Sequence, residues 1–177
     1  MFTAADILRG LEHALSPAQL LGWLAFALGV ACFLQKSDLR FKVFMALECS
    51  AYVLHFSALG QWAAAASAAV SVGRSVASVR YSRPLVGVGF MLLSTCMGVW
   101  LSHSWVSWLP IVASVVGTYA LFFLKGLRMR QLMLVGTGLW LVHNAWVGSI
   151  GGFCLELVIA LTNLTTMWRL VRTPSAD

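Results

Sequence analysis

Residues 139–156 read LWLVHNAWVGSIGGFCLE. Two apolar runs meet at Gly148-Ser149, and each is continuous rather than alternating. A strand of a membrane barrel would alternate apolar and polar residues. A continuous run that must satisfy its own backbone away from water is a helix. The joint leaves room only for an antiparallel hairpin, so the stretch reads as the meeting of two membrane helices. It also carries His143, Asn144 and Glu156. Hydrocarbon accepts such groups only when they are paired or face water.

The rest of the chain follows the same pattern. Of its 177 residues 60% are hydrophobic and 10% are charged. Soluble domains average about 45–50% and about 25%. Apolar spans are expected at 17–35, 43–59, 61–80, 85–101, 105–124, 132–148 and 150–172. Each is near the ~20 residues that a helix needs to cross the hydrocarbon core. Gly60 makes a second tight joint. Ser16-Pro17 reads as an N-cap with proline at the first helical position, and Pro110 falls where it should kink the fifth span. Thr3 and Asp6 stand at capping-box spacing. Ile7, Leu8, Leu11 and Leu15 then share one face, so residues 1–16 are expected to form an amphipathic interfacial segment. No cleavable signal peptide is read at the start.

The same reading limits the chemistry. Cys32, Cys49, Cys96 and Cys154 lie singly in apolar runs and read as small buried hydrophobes. No metal-ligand spacing, phosphate loop or mid-span lysine is present in the sequence. No metal, no cofactor and no enzymatic activity are therefore expected. The net charge of +6 could suggest a nucleic-acid partner, but the positions of the charges give a different account. Lys36, Arg40, Lys42, Arg80, Arg83, Lys125, Arg128, Arg130, Arg169 and Arg172 all fall on one side of a seven-span chain. By the positive-inside rule that side is cytoplasmic. The N-terminus is then outside and the tail 173–177 inside, and no nucleic acid is needed.

Displacing the chain by 88 residues sets span one on five, two on six and three on seven. His55 then meets His143, Gly60 meets Gly148, and the two basic breaks coincide. The expected fold is all-α: a first three-helix repeat at 17–83, a linking membrane helix at 84–103 and a second repeat at 104–172. The single linking helix leaves both repeats in the same orientation. Parallel repeats of this kind hold solute sites between their halves.

Several groups are placed by counting from the hairpins. Glu48 and Arg74 should lie at similar depth on adjacent helices and form an ion pair, as a staple or an inner gate. His143 and Glu156 should meet in the outer half, where a histidine bonded to a carboxylate could bind a proton near neutral pH. His55 is the repeat mate of His143 without such an acid. Tyr52 and Trp140 are mates, as are Ser75 and Asn163. Trp140 and Asn144 share a helix face, as do Glu48, Tyr52 and His55. Ser67, Ser71, Arg74 and Ser78 form a small-residue stripe suited to close helix packing.

The segments LPIVASVVGTYALFFLKGLRMR and HNAWVGSIGG resemble the Imp-YgjV family of bacterial inner-membrane proteins, with RFK at 40–42, HFSALG at 55–60 and Arg74 as looser matches. The likeness covers about 17–172 and implies a multi-pass protein of the inner membrane. More distantly, the layout is similar to the SWEET and PQ-loop transporters, where paired aromatic and asparagine groups enclose a solute. That likeness implies Tyr52, Ser75, Trp140, Asn144 and Asn163 as solute-binding groups. The Pro-Gln dipeptide and most hinge prolines of that superfamily are missing. Two functions follow. One is a carrier for a small polar or aromatic-compatible solute, with Glu48, His55, Arg74, His143 and Glu156 gating it or coupling it to protons. The other is a non-transporting membrane subunit or scaffold. Membrane lipids, and in either case a second copy of the chain, are the remaining expected partners.

Overall fold

The computed structural model describes residues 12, 14–35, 38–81 and 83–172. Seven helices make up the fold over these residues: α1 (Pro17–Phe33), α2 (Asp38–Ala58), α3 (Trp62–Ser78), α4 (Pro84–Leu101), α5 (Trp105–Phe123), α6 (Gly126–Val147) and α7 (Ile150–Arg172). Three of them, α4, α5 and α7, are long and apolar enough to cross a membrane by length and composition. The expected interfacial segment at 1–16 and the tail at 173–177 fall almost wholly outside the described residues.

Local chemistry sets the helix ends. The Ser16 hydroxyl accepts from the Gln19 N–H at 3.5 Å and Pro17 opens α1. Ser104 accepts from Ser107 N–H at 3.3 Å to start α5, and Pro84 opens α4. The α2–α3 and α6–α7 hairpins close in the same way. Gly60 and Gly148 take φ of 69° and 72°, a left-handed conformation that glycine adopts without a Cβ penalty. The next N–H then reaches back five residues, Gln61 to Phe56 O at 2.8 Å and Ser149 to Asn144 O at 2.9 Å.

Two boundaries differ from the sequence reading. Spans two and six were expected from 43 and 132, yet α2 starts at Asp38 and α6 at Gly126. The basic residues at 40, 42, 128 and 130 were read as breaks. They lie instead within the first helical turns, where long apolar stems can run along the helix. Helix starts now correspond: Pro17 with Trp105, Asp38 with Gly126 and Trp62 with Ile150, each pair 88 residues apart.

The helices pack in the ring α1–α2–α3–α5–α6–α7, and α7 closes back on α1. Helix α4 lies outside, against α3 and α5. Large apolar side chains cover the exterior; Leu85 is 80% and Trp100 77% exposed on α4. The buried set includes Gln19, His55, Ser67, Thr118, His143 and Asn144. An apolar outside around polar interior groups is what a lipid solvent selects, because unsatisfied polar atoms are costly in hydrocarbon. Cys96 departs from its expected burial: it sits exposed on α4, whose outer face no other helix covers among the described residues.

Candidate functional site

Inside the ring lies a cavity of about 210 Å³ to which all six ring helices contribute and α4 does not. Its walls carry Glu48, Tyr52 and Phe56 of α2, Arg74 of α3, Thr137, Trp140 and Asn144 of α6, and Glu156 of α7. Toward the starts of α2 and α6 it adjoins a second cavity of about 490 Å³, lined by Lys42, Ser75, Phe122 and Lys125 among others. Met45 and Arg74 belong to the walls of both.

At the hairpin end the chamber is roofed by aromatic rings. Tyr52 stacks on Phe56 with centroids 5.3 Å apart, and Phe56 stacks on Trp140 at 5.5 Å. The two aromatic mates singled out in the sequence thus come together through a third ring. Sequence reasoning missed Phe56, which looks like any other apolar residue of a span. Phe56 is 1% exposed.

Arg74 turns toward α5 rather than toward Glu48. Its guanidinium donates to Thr118 Oγ1 at 2.7 Å, to Ser114 O at 3.4 Å and to Ser71 Oγ at 3.3 Å. The expected ion pair with Glu48 is absent among the described residues, although both groups face one chamber. The reason lies in the packing: α3 is wedged between α2 and α5, and Arg74 takes the α5 side. Glu48 Oε2 accepts from the Cys49 thiol at 3.7 Å, and Glu156 has the Thr137 hydroxyl as its hydrogen-bonding neighbour.

The expected meeting of His143 with Glu156 does not occur either. His143 Nδ1 donates to Val106 O of α5 at 3.2 Å, and its Nε2 has no partner. Counting residues from a hairpin gives depth but not direction around the helix axis. Glu156 faces the chamber, while His143 faces α5. His55 makes the corresponding contact in the other half, Nδ1 to Ala18 O of α1 at 2.7 Å, and its Nε2 accepts from Ser149 Oγ at 2.7 Å. Both histidines are 0% exposed, and neither lines either of these two cavities. Nor does Asn163, whose side chain holds Arg130: Nδ2 donates to Arg130 O at 2.8 Å and Oδ1 accepts from Nη1 at 3.4 Å. Its mate Ser75 lines the second cavity instead.

Of the small-residue stripe on α3, Ser67 and Arg74 reach α5, Ser67 Oγ donating to Pro110 O at 2.8 Å. Gln19 was not singled out from the sequence, yet it ties α1 to the α6–α7 turn. Its Nε2 donates to Gly148 O at 2.6 Å, and its Oε1 accepts from Ile150 N–H at 3.1 Å. Two polar atoms in the chamber wall stay without partners: Tyr52 Oη and Asn144 Oδ1. No group of three or more metal-ligating side chains occurs among the described residues.

The chain matches, over residues 16–174, the family Imp-YgjV, described as a bacterial inner membrane protein. It is 35% identical over 156 residues to the inner membrane protein YgjV of Escherichia coli (strain K12), covering 86% of this chain and 85% of that protein. No solved structure matches it significantly.

Proposed function

Because this chain belongs to the Imp-YgjV family of bacterial inner membrane proteins, we propose that it is a small-solute transporter or facilitator of that membrane. In this reading seven spans form two parallel three-helix repeats joined by α4, the 3+1+3 layout of the SWEET type, and the solute sits between them. The observation that carries the proposal is the chamber. Six helices contribute to it, and charged and aromatic groups line it.

Three correspondences support the repeat. Helix starts fall 88 residues apart, both hairpins close with the same backbone bond, and His55 and His143 each hold a carbonyl 37 residues earlier in the chain. The seams α3–α5 and α7–α1 are likewise repeat mates. Alternating access is the rocking of one triplet against the other about these seams. With the basic residues inside, the aromatic stack closes the periplasmic end and the second cavity leads to the cytoplasm. Solute-binding roles fall to Tyr52, Trp140 and Asn144, with Ser75 at the inner entrance. Gating or ion coupling falls to Glu48, Arg74 and Glu156, which face the chamber; His55, His143 and Asn163 serve as clamps between helices.

Thiol labelling tests this without knowledge of the solute. The four native cysteines are replaced, and single cysteines are placed at Met133 in the chamber wall and at Leu92 on the exposed side of α4. A membrane-impermeant thiol reagent should modify Met133→Cys in inside-out vesicles and leave Leu92→Cys untouched. A scaffold with structural polar groups predicts no labelling of Met133→Cys from either face.

A further inference from the structure

We infer that the solute is a zwitterion of the amino-acid type, carrying an ammonium and a carboxylate a few bonds apart. This rests on the reading of the chamber as a solute site.

The argument begins with the charges. Three ionisable chains from three different helices face one cavity: Glu48, Glu156 and Arg74. Buried opposite charges ordinarily pair directly. Here Glu48 accepts only from the Cys49 thiol, Glu156 is met by Thr137, and Arg74 donates to three neutral oxygens. A guanidinium has five N–H donors in a planar fork suited to a carboxylate. The cavity therefore offers a guanidinium at Arg74, next to the inner entrance, together with two carboxyl groups on α2 and α7. A plain anion would have to sit against two carboxyl groups. A plain cation would have to sit against Arg74. A neutral polyol would leave all three without charged partners.

The Tyr52–Phe56–Trp140 stack gives an apolar body a surface to lie on, and its ring faces also attract an ammonium. The chemistry of the wall is thus that of an α-amino acid or a betaine, with the side chain directed at the aromatic roof.

The experiment uses the purified full chain in detergent, with thermal unfolding as the readout, since a ligand of the folded state alone raises the midpoint. Three matched sets of probes are used: glycine, methylamine and acetate; leucine, 3-methylbutylamine and 4-methylpentanoate; phenylalanine, phenethylamine and 3-phenylpropanoate. Glucose is the neutral comparison. In at least one set the amino acid should stabilise at a concentration about tenfold or more below that needed for its amine or its carboxylate, the loss expected for removing one charge-assisted hydrogen bond. Glu156→Gln should bring the amino acid and its deaminated carboxylate to within about threefold of each other, and Arg74→Gln should do the same for the amino acid and its amine. If Arg74→Gln does not fold, Arg74→Lys should keep the preference. Equal stabilisation by amine or carboxylate in every set, stabilisation by glucose only, or no stabilisation at all overturns the zwitterion. Labelling of Met133→Cys separates the two levels: a labelled chamber without the preference sinks this inference alone, and an unlabelled one sinks the transporter reading with it.

Discussion

Pro110 has no N–H to give the Val106 carbonyl four residues before it, and His143 supplies one instead, Nδ1 to O at 3.2 Å. The bond explains why a histidine stands in the middle of an apolar run without facing the chamber. In the other half Gly22 occupies the place of Pro110. There the requirement is space: a Cβ on Gly22 would lie 2.9 Å from His55 Cε1. Proline and histidine should therefore be energetically coupled. Replacing His143 by Leu leaves the carbonyl buried without a donor, at a cost of about 1–3 kcal/mol. In a Pro110→Ala background the helix N–H returns, and the same replacement should cost about 1 kcal/mol less. Unfolding midpoints of the four proteins in mixed micelles give the coupling, and additive costs would refute it. The sequence shows both residues plainly. What it hides is their pairing, since α5 and α6 must be packed before His143 and Val106 are neighbours.

At the scale of elements, the α1–α7 seam closes the ring and tolerates least. A Cβ on Gly151 would stand 2.4 Å from the backbone C and O of Gly22. Backbone cannot swing aside as a side-chain tip can, so the two helices must separate. The Leu155 side chain, 0% exposed, already fills the space above Gly29. Gly151→Ala should destabilise the fold by about 3 kcal/mol or more. Gly138→Ala, where a Cβ meets nothing within 4 Å, should be neutral or slightly stabilising by helix propensity. Equal unfolding midpoints for the two variants would show that the seam yields.

This is also the scale at which the sequence was most legible. Seven apolar runs gave seven helices because length and apolar continuity are local properties. The hairpins at Gly60 and Gly148 followed from the same residues that form them. Of the site, Glu48, Tyr52, Arg74, Trp140, Asn144 and Glu156 do share the chamber. The two pairings expected inside it, Glu48 with Arg74 and His143 with Glu156, failed because depth along a helix says nothing of azimuth. Only packing sets azimuth, and small residues such as Gly22, Ser67 and Gly151 decide it.

For the whole molecule, the question is what separates the chamber from the hairpin side. The second cavity continues the chamber toward Lys42 and Lys125, whereas Phe56 lies stacked between Tyr52 and Trp140 on the other side. In the proposed alternating access, this stack parts when the triplets rock. Stacked aromatic pairs contribute about 0.5–1.5 kcal/mol beyond their burial, a barrier that thermal motion can cross and a solute can bias. Phe56→Leu keeps much of the apolar volume but removes both stacking contacts. With the hairpin side periplasmic, as proposed, it should raise the rate at which a cysteine at Met133 is modified from that side, in right-side-out vesicles, by about five- to 150-fold, the exponential of about 1–3 kcal/mol for the two contacts. Labelling from the inner side should change little, because Arg74 and Met45 at that entrance are untouched. A Phe56→Leu protein that folds, labels normally from inside and stays closed from outside would locate the outer barrier elsewhere. The nearest alternative is the fully buried His143 ring, which packs edge-on to Phe56 and Trp140 with centroids 5.7 Å from each.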